Sequence, residues 1–181
     1  MPEIEIRPAI ADDIQFLTGI NHNYTSNRAW QLEIQQEEED GYININFREI
    51  RLPRRIQVKY PRSFQSLVTD WTQRSGLLVA VMSGKPIGYI SLMLEMAPET
   101  AWATDIVVDY SLRRKGIGSA LIFAGLEWAL NHASRFLVVD VQTKNYPAIQ
   151  LARKLGFESC GYNDRYYSNN DIGIFFSKTL F

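Results

Sequence analysis

The stretch from Asp105 to Ala120, Asp105-Ile-Val-Val-Asp-Tyr-Ser-Leu-Arg-Arg-Lys-Gly-Ile-Gly-Ser-Ala120, constrains this chain more than any other. It begins as a buried strand through Ile106, Val107 and Val108 and becomes a basic, glycine-bearing turn. A helix follows, with Ile117, Leu121, Ala124 and Trp128 at helical spacing. Gly116 and Gly118 let a ligand approach the backbone closely. The unpaired N–H groups of a helix start, at the positive end of its dipole, suit a phosphate. Arg113, Arg114 and Lys115 add charge to the same end, an arrangement that mildly destabilises a helix unless an anion sits between them. Taken alone, the turn also fits an ordinary loop-to-helix junction.

The pattern on either side predicts a mixed sheet covered by helices. Ile4–Arg7 alternates as a short strand, and Asp12–Ile20 reads as a helix with acid at its positive end. Residues 22–41 read as a polar loop and a weak helix ending in the acidic run Glu37–Asp40, a solvated face. Residues 42–60 read as two strands joined by a bulge or bend, because the apolar parity flips between Phe47 and Ile50. Pro53 suggests an edge position. A short helix is expected around Phe64–Arg74. Leu77–Met82 and Ile87–Glu95 form a hairpin around Ser83-Gly84-Lys85-Pro86. Further strands are expected at Thr104–Asp109 and Phe136–Gln142. Pro147 starts a helix that Gly156 stops. Two last strands fall near Ser159–Tyr167 and Asp171–Leu180. A chain of 181 residues without repeats or linkers suits one domain over 1–181.

Composition removes several function classes. The net charge of −1 provides no field toward nucleic acid or an anionic membrane. No apolar run approaches the ~20 residues of a membrane span, and Met1–Arg7 has neither the basic nor the apolar region of a signal peptide. A single cysteine, Cys160, excludes an internal disulfide and makes a cytosolic, cytoplasmic address the simplest expectation. His22 and His132 are expected to be partly exposed surface residues, and with one cysteine they make no metal site.

Strand, Arg113-x-x-Gly116-x-Gly118 and helix together resemble the pyrophosphate loop of the GNAT N-acetyltransferase superfamily, written [Q/R]-x-x-G-x-[G/A]. The turn is not a Walker loop, since no Gly-Lys-Ser/Thr follows a wider glycine spacing. Nor is it a dinucleotide fingerprint, because Leu121 stands where a third glycine is required. A second match follows: Asp140 to Phe157 resembles the family's strand–Asn–helix–Gly-Phe segment, with Asn145, Ala148 and Gly156-Phe157 in register. The resemblance covers roughly residues 77–180 and the amino-terminal strand-helix pair, while residues 22–62 match poorly.

The resemblance implies an α/β (α+β) fold with a mixed, mostly antiparallel sheet of about seven strands. The sheet would splay between the strands ending near Val108 and Gln142. It implies acetyl-CoA as cofactor, with its pantetheine in the gap paired to backbone groups of Ile106, Val107 and Val108. The N–H groups of Arg114, Lys115, Gly116, Ile117, Gly118, Ser119 and Ala120 would hold the pyrophosphate, and Asn145 and the helix through Ala148 would flank the cofactor.

The implied reaction is direct attack of an amine on the thioester. A primary amine of pKa near ~10 is protonated at neutral pH, so a base is needed, together with an oxyanion donor, for which a backbone N–H on Val107–Val108 is placed. Asp140 and Asp105 are the candidate bases, Asp140 favoured by the family's ribosomal-protein enzymes. The tyrosine that protonates the thiolate in many members is replaced by Ala152. Tyr146, Tyr162, Tyr166, Tyr167 or water would take its place, or the chain would be an acyl-CoA-binding module without efficient catalysis.

The tail from Gly156 to Phe176 is similar to those of ribosomal-protein alanine N-acetyltransferases and streptothricin acetyltransferases. It implies that Tyr166 and Tyr167 line the acceptor mouth, one of them facing it if they lie on a strand. The acceptor would be a primary amine of a small molecule or a protein N-terminus. The segment Arg48–Arg62, with six basic residues and one acid, would be a solvated hairpin, or else meet an anionic acceptor or the cofactor's 3′-phosphate. Exposed sheet edges leave a homodimer plausible.

Overall fold

The computed structural model describes residues 3–37 and 41–181. The strands are β1 (Ile4–Pro8), β2 (Tyr24–Glu37), β3 (Tyr42–Val58), β4 (Gly76–Met82), β5 (Lys85–Ala97), β6 (Thr100–Val108), β7 (Phe136–Gln142), β8 (Glu158–Asn163) and β9 (Gly173–Thr179). The helices are α1 (Ala11–Thr18), α2 (Ser66–Thr69), α3 (Ile117–Asn131) and α4 (Tyr146–Lys154). Seven strands form one sheet in the order β1-β4-β5-β6-β7-β9-β8, and β2 and β3 form a separate ribbon. Every pair in the large sheet is antiparallel except β6–β7. This is the expected fold class.

The two sheet faces are covered differently. On one, α3 and α4 bury Leu121, Ile122, Ile149 and Ala152 against Ile90, Leu92, Leu137 and Val139. On the other, α1 and α2 bury Ile14, Leu17 and Leu67 against Val79, Val81, Tyr89 and Val107. Gly125 lets α3 lie close to the sheet, since a Cβ there would stand 2.8 Å from Ile90 Cδ1.

The β6–β7 pairing is short. It runs from Thr100↔Phe136 to Ala103↔Val139 and stops. Beyond it β6 pairs only with β5, and β7 only with β9. The sheet therefore opens between Thr104–Val108 and Asp140–Gln142. A bulge sits where it opens: Leu92 pairs with Ala103 but Ser91 with Asp105, so Thr104 is an extra residue. The insertion flips parity. Ala101 and Ala103 face α3 and α4, whereas Val107 faces the α1 side.

Residues 22–41 depart from expectation. Instead of a loop and weak helix, Tyr24–Glu37 is a long strand paired along β3. Trp30, Leu32 and Ile34 do alternate, but the polar residues between them masked that period, and the partner strand decides the conformation. The two strands expected at 42–60 form one: pairing runs unbroken from Phe47↔Leu32 to Ile50↔Ala29, where the bend was expected, and the irregularity falls later in the strand. Ser26 pairs with Ile56 and Arg28 with Arg51, which leaves Leu52–Arg55, including Pro53, opposite Asn27 alone. The last strands are shorter than expected, and Tyr166 and Tyr167 lie in the loop between β8 and β9. Glu38, Glu39 and Asp40 lie outside the described residues, as does the side chain of Glu37.

His22 is also corrected. It is buried, its ring 5.4 Å from Tyr60, 5.5 Å from Phe64 and 5.9 Å from Tyr89. The reason is local: Nδ1 lies 2.7 Å from the Ile20 carbonyl and Nε2 3.1 Å from the Tyr89 hydroxyl, so both nitrogens are satisfied inside. His132 is exposed, as expected.

Candidate active site

The opening between β6 and β7 is a cleft of about 80 Å³. Its lining comes from both sides of the sheet. Ile122, Ala148, Leu151 and Ala152 face it from the helix-covered side, and Tyr60, Arg62, Asp140 and Tyr167 approach it from the other.

Backbone alternation fixes which groups of β6 look into the gap. The Asp109 amide donates to Ile87 of β5, so by alternation the main-chain groups of Val107 also point to β5 while those of Ile106 and Val108 point to the gap. The Val108 carbonyl is already occupied by Arg113 Nε at 2.8 Å. Of the three expected positions, Ile106 and the Val108 amide thus lack ladder partners on the gap side.

The basic turn divides its labour. Arg113 turns inward and donates to the carbonyls of Asn23 and Asn21 as well as Val108, with Tyr110 beneath its guanidinium. Arg114 and Lys115 remain exposed beside the start of α3. Gly116 has φ +88°, a conformation that favours glycine, and no side chain caps the helix start. The first backbone bond of this turn is Ala120 N–H to the Gly116 carbonyl, so the amides of Ile117, Gly118 and Ser119 carry no intrahelical bond. A Cβ on Gly118 would lie 3.2 Å from Leu151, so this glycine also serves the α3–α4 approach. Asn145 caps α4, its side chain accepting from the Ala148 amide at 3.2 Å. A ladder-free strand edge running to an uncapped, cation-flanked helix start fits an extended ligand with a pyrophosphate.

Both candidate carboxylates lie at the start of the gap. Asp105 is crowded: Tyr60 donates to Oδ1 at 2.5 Å, and Arg74 (3.1 Å) and Thr104 Oγ1 (3.2 Å) donate to Oδ2. Asp140 has a fully buried side chain. Its Oδ2 accepts from Arg62 Nη2 at 2.5 Å and from the Tyr167 hydroxyl at 2.9 Å, while Oδ1 is buried with no hydrogen-bond partner among the described residues. Burial pushes the Asp140 carboxyl above its usual range, and Arg62 pulls it partly back.

Arg62 joins the two strands. Its Nη1 donates to the Thr104 carbonyl at 2.5 Å and lies 3.9 Å from Asp105, while Nη2 holds Asp140. It takes the position of the missing next rung between β6 and β7. Tyr167 lies beneath its guanidinium at 5.0 Å. Tyr166 packs edge-on against Tyr167 and Phe175, behind the cleft. Tyr162 packs on Phe47, and Arg28 lies over Tyr146. Of the four tyrosines offered in place of Ala152, Tyr167 is the one that lines the cleft. Burial and Asp140 raise its hydroxyl well above the ordinary tyrosine range, so it stays protonated.

Sequence reasoning missed Tyr60 as a site residue and saw Arg62 only as the end of a basic segment. Their partners Asp105 and Asp140 lie 45 and 78 positions away, so no local spacing marks them. The rest of that segment is surface: Arg48 pairs with Glu33 at 2.9 Å, Glu49 with Arg28, and Arg51, Arg54 and Arg55 are exposed.

A seven-stranded sheet parted beside a glycine turn and a helix start is also the fold of solved acetyltransferases. The profile of the acetyltransferase (GNAT) family matches residues 41–157, and this chain belongs to that family, whose enzymes are N-acetyltransferases using acetyl-CoA. The streptothricin acetyltransferase of Streptomyces lavendulae is 24% identical over 168 residues, 90% of this chain and 86% of that protein. An uncharacterized N-acetyltransferase of Methanocaldococcus jannaschii, MJ1207, is 33% identical over 88 residues, 46% of this chain and 39% of its own length. A Bacillus anthracis protein solved in complex with acetyl coenzyme A has the same fold, with a TM-score of 0.74 and 18% identity over 98% of this chain and 97% of that one. No helix among the described residues is long and apolar enough to cross a membrane.

Proposed function

We propose that this chain transfers the acetyl group of acetyl-CoA to a primary amine, of a small molecule or a protein N-terminus, by direct attack. Acetyl-CoA supplies an activated acyl thioester. The amine nitrogen bonds to the acetyl carbon, the carbon–sulfur bond breaks, the amine's proton passes to Asp140, the thiolate takes a proton from Tyr167, and Asp140 returns its proton to the Tyr167 oxygen across their 2.9 Å hydrogen bond. The Val108 amide, without a ladder partner, would donate to the acyl oxygen. The observation that carries this reading is Asp140, which lines the cleft and whose buried Oδ1 has no hydrogen-bond partner among the described residues, whereas both oxygens of Asp105 are taken. The backbone edge at Ile106 and the turn from Arg114 to Ala120 would hold the cofactor.

CoA-thiol release with a panel of amines tests this. Asp140→Asn should lower kcat by ~10²–10⁴-fold, and Asp105→Asn by far less. Equal activity of Asp140→Asn and the parent protein would remove Asp140 as base. Ala152, buried where many relatives carry a tyrosine, favours a second reading as an acyl-CoA-binding sensor. Tight acetyl-CoA binding with no thiol release for any amine would select it.

A further inference from the structure

Tyr167 lies in the loop between β8 and β9, where no strand ladder holds it. The loop closes on itself. The Tyr167 amide donates to the Asp171 carbonyl at 3.3 Å, the Asn170 amide to the Tyr167 carbonyl at 2.8 Å, and the Asp171 amide to Asn169 Oδ1 at 3.1 Å. Those bonds shape the loop, and two of its side chains carry it to β7. Leu137, Val139 and Val141 of β7 face α3 and α4, so by alternation Asp140 and Gln142 share the opposite face. Tyr167 reaches the first, its hydroxyl 2.9 Å from Asp140 Oδ2. Asp171 reaches the second, its Oδ2 accepting from Gln142 Nε2 at 2.7 Å, while its Oδ1 accepts from Lys144 Nζ at 2.5 Å. Gln142 is itself fixed: it is buried, and its Oε1 accepts from the Tyr24 hydroxyl at 2.7 Å.

We infer that Asp171 is a positioning residue for Tyr167, which sets where the tyrosine hydroxyl stands beside Asp140. This rests on the proton transfer from Tyr167 proposed above. A loop held at Asp140 alone could turn about that one contact. Held also at Gln142, the next residue on the same strand face, it fixes the tilt of the tyrosine ring. Hydrogen bonds to an ionised group are shorter and stronger than neutral ones, and the Asp171 side chain is only 16% exposed. Asp171 does not line the cleft. Its route to the chemistry is the backbone bond to Tyr167 and the shared attachment to β7.

Steady-state kinetics of Asp171→Ala, Tyr167→Phe and the double variant test this, by CoA release with putrescine, phenethylamine and an alanine-starting peptide as acceptors. Asp171→Ala should lower kcat by about ten-fold or more, within the ~10²-fold expected of Tyr167→Phe, with the KM for acetyl-CoA unchanged. In the Tyr167→Phe background the same substitution should lower kcat no further. Asp171→Asn keeps an acceptor for Gln142 and should recover most of the rate. Gln142→Met cuts the same contact from β7, and reports in place of Asp171→Ala if that variant does not fold. A wild-type kcat in Asp171→Ala, or a further loss in the double variant, overturns this inference while Tyr167 keeps its role. A wild-type kcat in Tyr167→Phe, or no CoA release with any acceptor, overturns the reading beneath it as well.

Discussion

Arg62 and Asp140 meet at 2.5 Å, where β6 and β7 part, and their contact bridges a gap that no backbone bond spans. The pair therefore has a structural duty at the candidate active site.

Removing one partner leaves the other charge without compensation. Arg62→Ala should cost about 3 kcal/mol, at the low end for a broken buried pair because Arg62 retains 28% side-chain exposure. Urea denaturation of Arg62→Ala, Asp140→Ala and the double variant checks it. The double variant should be less destabilised than the sum of the singles by more than ~1 kcal/mol, and additivity would deny the coupling.

The same contact sets a pH profile. Burial raises the Asp140 pKa and Arg62 opposes that rise. A base must be ionised to act, so activity should grow with pH through a pKa above the ~3.9 of a free aspartate. In Arg62→Gln the opposing cation is gone, and the acid limb of kcat/KM should move to higher pH. An unmoved limb would assign the titration to another group.

Tyr167 separates catalysis from wall-building. Tyr167→Phe keeps the ring beneath Arg62 and removes the hydroxyl 2.9 Å from Asp140. If that hydroxyl protonates the thiolate, kcat should fall by ~10²-fold with the KM for acetyl-CoA unchanged. A change confined to the acceptor's KM would make it only a wall.

His22 gives the fold an acid sensitivity of its own. Burial lowers its pKa below the usual ~6.5, so the unfolded chain binds the proton more readily. Its contribution to stability is complete above pH ~6.5 and is lost as pH falls toward the lower, folded-state value. His22→Phe should flatten that part of the stability–pH curve, at a constant cost for the Tyr89 hydroxyl left without its acceptor. Parallel curves for the two proteins would contradict this.

Gly88 packs against β6, the strand proposed to hold the cofactor. A Cβ there would stand 2.6 Å from the Val107 carbonyl, which is backbone and cannot step aside alone. Gly88→Ala should destabilise by about 1–3 kcal/mol and, by shifting β6, raise the KM for acetyl-CoA. Thermal unfolding with steady-state kinetics checks both effects.

What the sequence disclosed follows from the range of the forces involved. Phe136–Gln142 was legible to the residue, as a valine-rich strand buried by its own composition. The turn at Arg113–Gly118 and the helix start at Pro147 were legible because helix starts are local chemistry, whereas the capping role of Asn145 was not read from the sequence. β2 was not, since its polar residues acquire strand geometry from β3. Nor was the site's inner ring: Tyr60 and Arg62 reach Asp105 and Asp140 only once a long ribbon has folded back across the sheet. Arg113 was read as a phosphate-facing charge, and its guanidinium instead ties the Asn21–Asn23 loop to β6.

The parting of β6 and β7 leaves a cleft lined from both faces of the sheet and not from one alone. If acetyl-CoA and the amine approach from opposite faces, neither blocks the other's route. On the proposed direct attack the two would form a ternary complex without a covalent relay, and initial-velocity lines at varied acetyl-CoA and amine should intersect.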